Sequence, residues 1–410
     1  MAWLLNHYAQ PPSRPGGTRH YELARHAADH GWDVHVIAAS TELVSGSQTV
    51  TGAHRSRWSR AGEVSFTWVK APSYHGNGIA RYANMSAFAL NAWVPGALRH
   101  LPEPDAIIGS SVHPLTALAA WRLAQRHHVP FVFEVRDLWP ETLVAFGAVS
   151  EGSVTERGIS QLVGHLYRSA DRVITTMPRG VECVAGYGVP RTKVTWIPNG
   201  VDFRNFPKPP PPPPRDFVHL VYVGAHGQAN GLEILLDAMD RVRHLDTCAP
   251  IHLTLVGDGP LKPALMRRSV ELGLRDSVSF RAPVPHSDVP ALTAEADALV
   301  FVSLDLPQLY RFGMSTNKMS DYLASGRPIL AALDFDDDPV SVAEAGIVVP
   351  PDASSLARGM VAIAQMGESE RATCGASGRR FAVRNLDFAR LGHDLATLLD
   401  DVVGARSAPS

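Results

Sequence analysis

The sequence predicts an α/β protein of two lobes, each a doubly wound parallel sheet, and three observations carry that prediction. Strand, loop, helix and strand recur in that order along the chain, with short apolar runs and glycines at the turns. The recurrence breaks once, at residues 207–214, which are nearly all proline and read as a stiff extended spacer. A chain of 410 residues is also long enough for two cores of ordinary size. The expected division is a first lobe over 1–206, a proline-rich linker over 207–215, a second lobe over 216–385, and a C-terminal helix and tail over 386–410.

Composition narrows the function classes. A net charge of −2 lacks the basic footprint of a nucleic-acid binder. Cys183, Cys248 and Cys374 are scattered without metal-ligand spacing and read as thiols in a reducing compartment. The start MAWLLNHYAQ has no basic n-region, and no apolar run reaches transmembrane length, so a cytoplasmic protein is expected.

Residues 2–6 read as a buried strand, followed by the loop HYAQPPSRPGG, the helix TRHYELARHAADH and the strand DVHVIAA. Gly16 and Gly17 at the helix start would let a phosphate or ligand backbone approach closely. In the first turn, Arg19 is expected at the surface and His20 toward the ligand space. Residues 51–70 suggest a hairpin or lid. Gly76, Asn77 and Gly78 then make a turn into an apolar helix broken near Pro95, with Arg81 and Arg99 as its basic residues. That helix either covers the sheet or lies against a membrane or lipid-linked acceptor.

Residues 105–111 and 130–135 are further buried strands, and ligands of open parallel sheets collect beyond the carboxyl ends of such strands. Ser110, Ser111 and His113 stand at one such end; Arg136, Asp137 and Glu141 stand at the next. Two acids and an arginine crowded there are costly as structure alone, which favours a functional role. Segments 167–176 and 195–201 complete the first lobe.

The second lobe opens with HLVYVGAHGQANGLEILLDAM, in which Gly224 begins a glycine-rich loop. HLTLVGDGPLKPALMRRSVELG repeats the plan with Gly257 and Gly259 at the turn, and SVSFRAPVP and DALVFVS supply two more strands. In YRFGMSTNKMSDYLASGRPIL, Ser315 and Thr316 are N-cap candidates, Gly326 and Pro328 are a stop signal, and a buried strand follows. Met319, Tyr322 and Leu323 share one helix face; Asn317, Lys318 and Asp321 share another. A lysine in a helix's first turn opposes the dipole, and an anion seated there would remove the conflict. Asp321 would accept bonds from ribose hydroxyls, so the stretch reads as a nucleoside-diphosphate cradle; the bland alternative is a solvent-facing helix with an ordinary Lys–Asp pair. The run FDDDP at 335–339 reads as a solvated loop, not a metal site. LDFARLGHDLATLLDDVV is an amphipathic C-terminal helix.

The run GMSTNKMSDYLASGRPI resembles the donor-binding segment of family 4 glycosyltransferases, in the branch of bacterial aminosugar (fucosamine-type) transferases. The resemblance implies the GT-B fold: two Rossmann-like lobes facing across a cleft, with the C-terminal helix crossing back to the first lobe. The family usually has two glutamates separated by seven residues. Here those positions are Gly313 and Asp321, and the branch's G-x-S-x-N-K pattern is matched by Gly313, Ser315, Asn317 and Lys318. The branch also tends to have R-D-x-W-P-E, met from Arg136 to Glu141, where the wider family often has histidine at the place of Arg136. The Arg and Lys that the family places on the first loop of the second lobe are Ala225 and Asn230 here. Lys318, the helix start and Arg136 or Arg19 are expected to supply the positive charge instead.

The expected function is metal-independent, retaining transfer of a sugar from a nucleotide-diphosphate donor such as a UDP-sugar to a hydroxyl acceptor. Lys318, Ser315 and the backbone N–H groups near Thr316 and Asn317 fit the diphosphate, and by the resemblance residues 281–284, from Arg281 to Val284, face the base. His113, Arg136, Asp137 and Glu141 would position acceptor and sugar. No other cofactor is expected, and peripheral membrane contact is possible. A GT-B-type nucleotide-sugar 2-epimerase and a non-catalytic nucleotide-sugar binder are the rival readings; a NAD dehydrogenase would need a glycine fingerprint that is absent.

Overall fold

The computed structural model describes residues 1–14, 16–41, 47–74, 79–245, 249–304 and 310–407. Its contacts divide the chain into two compact units, Met1–Asn199 with Phe388–Ser410, and Gly200–Asp387. The division falls ahead of the proline run. Residues 207–214 therefore belong to the second unit: Arg327 donates to the Pro210 carbonyl at 2.6 Å, and Pro209 lies against Gly326. The run expected as a stiff spacer at the domain boundary lies against the second unit, and the boundary itself falls between Asn199 and Gly200.

In the first unit the strands are β1 (Ala2–Leu5), β2 (Val34–Ala39), β3 (Ser56–Ala61), β4 (Val64–Val69), β5 (Ala106–Ser110), β6 (Phe131–Val135), β7 (Arg172–Thr175) and β8 (Val194–Trp196). They form one sheet in the order β3-β4-β2-β1-β5-β6-β7-β8, parallel throughout except for the β3–β4 hairpin. The central strands β1, β2, β5 and β6 are buried along their whole length, which is why they read as unbroken apolar runs rather than alternating ones. Residues 51–70 thus become an antiparallel edge of the sheet. The helix Ile79–Trp93 stops short of Pro95; the expected turn at Gly76–Gly78 lies outside the described residues.

The C-terminal helix Phe388–Ser407 belongs to this first unit. Gly392 meets the backbone of His26 in the helix Arg19–Ala28, and the Trp32 indole donates to Asp400 at 2.9 Å. Leu391, Leu395, Leu398 and Leu399 join the core formed by β1, β2 and β4.

In the second unit the strands are β9 (Val218–Val223), β10 (Ile251–Val256), β11 (Val278–Arg281), β12 (Ala298–Val302), β13 (Ile329–Ala332) and β14 (Gly346–Val349), in the order β11-β10-β9-β12-β13-β14 and all parallel. The order reverses between β9 and β12, and the loops leaving those strands open the crevice where such sheets take ligands. Separate apolar clusters cover the two faces: Leu232, Leu235, Leu236 and Met239 with Met360 on one, and Met319, Tyr322 and Leu323 with Phe301 on the other. Each unit is an α/β parallel-sheet lobe, as expected.

Candidate active site

The centre of the second unit is the start of the helix Asn317–Ser325. Thr316 has extended backbone angles and its hydroxyl accepts from the Met319 N–H at 3.2 Å, so it caps the helix, and Gly326 ends it in the left-handed conformation. Tyr322 is fully buried; its hydroxyl accepts from the Val223 N–H at 2.8 Å and donates to the Val223 carbonyl at 3.3 Å, tying the helix to the end of β9.

Lys318 is half-buried and turns onto that strand end. Its Nζ donates to the Tyr222 hydroxyl and to Asn230 Oδ1, both at 2.7 Å, and lies 4.2 Å from the Tyr222 ring centroid. The Tyr222 hydroxyl in turn donates to the Ala225 carbonyl at 2.8 Å. All these partners are neutral, and among the described residues no carboxylate stands within ion-pair distance of Lys318. Burial lowers the Lys318 pKa to about 7. Gly224 makes the approach possible: a Cβ there would sit 2.6 Å from Lys318 Cε. Gly257 likewise faces Gly224, where a Cβ would fall 1.9 Å from the Gly224 carbonyl oxygen. Backbone, amine and helix start are therefore brought together with no side-chain bulk between the two loops.

The other residues expected here divide. Ser315 and Thr316 are half-buried and Asn317 is exposed at the helix start. Asp321, expected on the open face with Asn317 and Lys318, is instead buried, 3.1 Å from His286 Nε2. Burial raises its pKa while His286 pulls it down. The partner for Asp321 is a histidine on a neighbouring turn, which the helix alone does not reveal. Arg281 is exposed at the end of β11 and pairs with Glu295 at 3.4 Å, so its guanidinium is occupied within the protein; Val284 is exposed nearby in sequence. Two further groups escaped the sequence reading. Lys262 donates to the Gly257 and Arg281 carbonyls at 2.7 and 2.9 Å, and His226 is fully buried with neither ring nitrogen partnered among the described residues.

In the first unit the outcome for Arg19 and His20 corrects the expectation. Neither faces solvent nor an open ligand space. Glu134, on the buried strand β6, accepts from Arg19 Nε at 2.9 Å and from His20 Nε2 at 2.7 Å, with all three side chains essentially inaccessible. Arg19 also donates to the carbonyls of Ile197 and Pro198. Burial alone would raise the Glu134 pKa, but Arg19 and His20 outweigh it and hold the carboxyl well below its usual range. An acid inside PFVFEV was the signal for this triad, because a carboxylate in an all-buried strand requires cations around it. Arg19 is accordingly not one of the charges that could replace the missing loop cations.

His113 is also buried. Its Nε2 meets His7 Nδ1 and the Thr116 hydroxyl, each at 3.1 Å, and burial brings the His7 pKa down to about 3 and that of His113 well below its ordinary value. Ser110 accepts from Asn6 at 2.8 Å, and the Ser111 hydroxyl accepts from the Arg136 N–H at 3.3 Å. Arg136 makes no ion pair among the described residues and its Nε is buried without a partner, whereas Asp137 is exposed and Glu141 opens the short helix Glu141–Ala145. These groups gather at the carboxyl ends of β1, β5 and β6. Gly16 and Gly17 precede the helix Arg19–Ala28, with Gly16 exposed against Gln10. FDDDP forms no metal cluster among the described residues: Asp338 caps the helix Pro339–Val342 by accepting from Val340 and Ser341 at 2.9 Å, and Asp334, Asp336 and Asp337 are exposed. Cys183 and Cys374 are free thiols, and Cys248 lies outside the described residues.

Comparison with known proteins joins the two halves. The glycosyl transferase 4-like domain family matches residues 16–200, and the glycosyl transferases group 1 family matches residues 218–366. A curated relative from Escherichia coli K12, "Putative colanic acid biosynthesis glycosyl transferase WcaI", is 24% identical over 300 residues, covering 68% of this chain and 71% of the relative. Among solved structures, sucrose-phosphate synthase from Thermosynechococcus elongatus superposes with TM-score 0.73 at 18% identity, covering 98% of this chain and 99% of the other. HepE from Anabaena, solved with UDP-glucose, gives 0.63 at 16% identity with the same coverage of each chain. With two matched domains spanning most of its length, the chain belongs to the family-4-like glycosyltransferases of the two-domain GT-B fold.

Proposed function

We propose that this glycosyltransferase takes its sugar from a nucleotide diphosphate seated at the start of the helix Asn317–Ser325, with Lys318 as the principal cation. The observation that supports this is the uncompensated state of Lys318: a half-buried amine beside a helix N-terminus, with neutral partners and a glycine where a side chain would crowd it. Breaking the anomeric bond puts negative charge on the diphosphate, and fixed positive groups there lower the barrier. A bound diphosphate would restore full protonation of the amine. The family's loop cations are Ala225 and Asn230 here, and Asn230 directly touches Lys318, so the charge reaches the loop from the helix instead. This arrangement supplies the leaving-group charge without a metal.

The pattern Gly313, Ser315, Asn317, Lys318 and the run from Arg136 to Glu141 support the aminosugar-transferase branch; the UDP-glucose complex of the similar HepE supports a UDP-linked donor, and retention is what membership of the family implies. Asp321 and residues 281–284 are assigned to ribose and base. Arg136, Asp137 and Glu141 are assigned to the acceptor and transferred sugar, with one of the acids taking the acceptor proton. His113, buried and neutral, is assigned to positioning. No helix among the described residues is long and apolar enough to cross a membrane, whereas Tyr82, Leu90 and Trp93 of the helix Ile79–Trp93 are 49%, 55% and 43% exposed. An acceptor at a membrane surface fits that exposed apolar face.

The experiment is a thermal-shift panel of nucleotide sugars on the full chain and on Lys318→Met, followed by a transfer assay with the stabilising donor. One nucleotide sugar should stabilise the parent and not the variant. Stabilisation of both alike would remove Lys318 from the donor site.

A further inference from the structure

The second unit contains a cavity of about 770 Å³ at the end of its sheet away from Lys318. Its floor is Asp297, Gly326, Arg327 and Pro328, just ahead of β12 and β13; one wall is the proline run at 209–212 and the other is the helix Glu368–Asn385. Six cations line it, Lys208, Arg327, Arg371, Arg379, Arg380 and Arg384, against only two acids, Asp297 and Glu368.

Part of this charge has a structural task. Arg379 donates to the Ala324 carbonyl at the end of the helix Asn317–Ser325, Arg371 to the Met366 carbonyl after the helix Ala353–Gln365, and Arg327 to the Ala294 carbonyl closing the helix Val289–Ala294. Each helix end carries roughly half a negative charge, so the three together offset on the order of one and a half cations. The groove stays positive after that allowance. Lys208, Arg327, Arg371, Arg379 and Arg380 have no carboxylate within ion-pair distance among the described residues. Arg327 supplies an independent sign: it is 8% exposed and its Nε is buried with no partner. A guanidinium that spends donors on two carbonyls and leaves another buried and unmet is short of an acceptor.

We propose that this groove binds a small organic phosphate. The arginines take the phosphate oxygens, and a ring or apolar body lies along the proline rings. The volume falls within the range of small-molecule sites, and planar guanidinium groups suit phosphate oxygens. The site is separate from the donor cradle, because the nine-residue helix Asn317–Ser325 puts about 13 Å between its two ends.

The test uses the full chain, with 1-naphthyl phosphate and inorganic phosphate as calorimetric probes, and phosphatidylglycerol vesicles in a pelleting assay. Lys208→Ala combined with Arg380→Ala removes two exposed groove cations that hold no other element in place. The parent and Lys318→Met should bind 1-naphthyl phosphate saturably and more tightly than inorganic phosphate, and the double variant should bind at least tenfold more weakly. Three results would overturn the proposal: no saturable binding, binding abolished by Lys318→Met alone, or equal affinity for both phosphates. Vesicle pelleting that the double variant loses would reassign the groove to lipid headgroups and overturn the soluble ligand.

Discussion

Arg19 in the first unit and Lys318 in the second are both cations taken out of water, and they are treated in opposite ways. Arg19 meets a carboxylate and two carbonyls, so its charge is answered inside the fold. Lys318 meets a phenol, an amide oxygen and an aromatic face, none of which carries a formal charge. A closed charge network holds a structure together; an open one needs something from outside. The amino-edge groove of the second unit lies between these cases, since its arginines cap helices and yet exceed what the helix ends require.

The largest effect should come from opening the closed network. Glu134→Ala leaves Arg19 and His20 buried without their acid and should cost roughly 3–5 kcal/mol of unfolding free energy, measured by urea denaturation. Lys318→Met should do the reverse: unfolding free energy equal to or above the parent, with turnover down by on the order of 100-fold. If both variants lose stability alike, the contrast between the two cations fails. Gly224→Ala sharpens it, because a Cβ at 2.6 Å from the lysine stem must push the amine off its partners. Donor affinity should fall about tenfold by calorimetry with the far-UV spectrum unchanged, on the reasoning that about 1.4 kcal/mol is a factor of ten.

The pH dependence follows from the same amine. Its folded pKa of about 7 lies below the ordinary lysine value, so between those two values the unfolded chain holds more protons. Stability contributed by this group therefore rises with pH across that window. Donor affinity, which needs the charged amine, should fall as pH rises above about 7, by at most tenfold per unit. Lys318→Met should flatten both trends. The smallest effect is expected from Tyr222→Phe, which removes one neutral partner of the amine and should change donor affinity by about 1 kcal/mol.

The sequence displays what depends on near neighbours. Thr316 as cap and Gly326 as stop are local chemistry, and they stand where the pattern puts them. The buried strands follow from apolar runs bounded by glycine and proline. What depends on distant partners is not displayed. Arg19 looks like a surface residue in an amphipathic turn because its acid lies 115 residues away. Asp321 looks like a free carboxylate because His286 comes from another turn. Lys318 shows its residue type and its place at a helix start, but its direction toward Tyr222 and Asn230 is a tertiary fact. Ala225 and Asn230 look like lost function in the sequence; in the structure one accepts the phenol that steadies the lysine and the other accepts the lysine itself.

The Tyr322 hydroxyl engages both backbone groups of Val223 at once, in the way a neighbouring strand would. Helix and loop are thereby set in register before any ligand arrives, like two jaws pinned on one axle. Capture of the donor should then carry little entropic penalty for arranging those two pieces, and most of the binding free energy is left to act on the sugar.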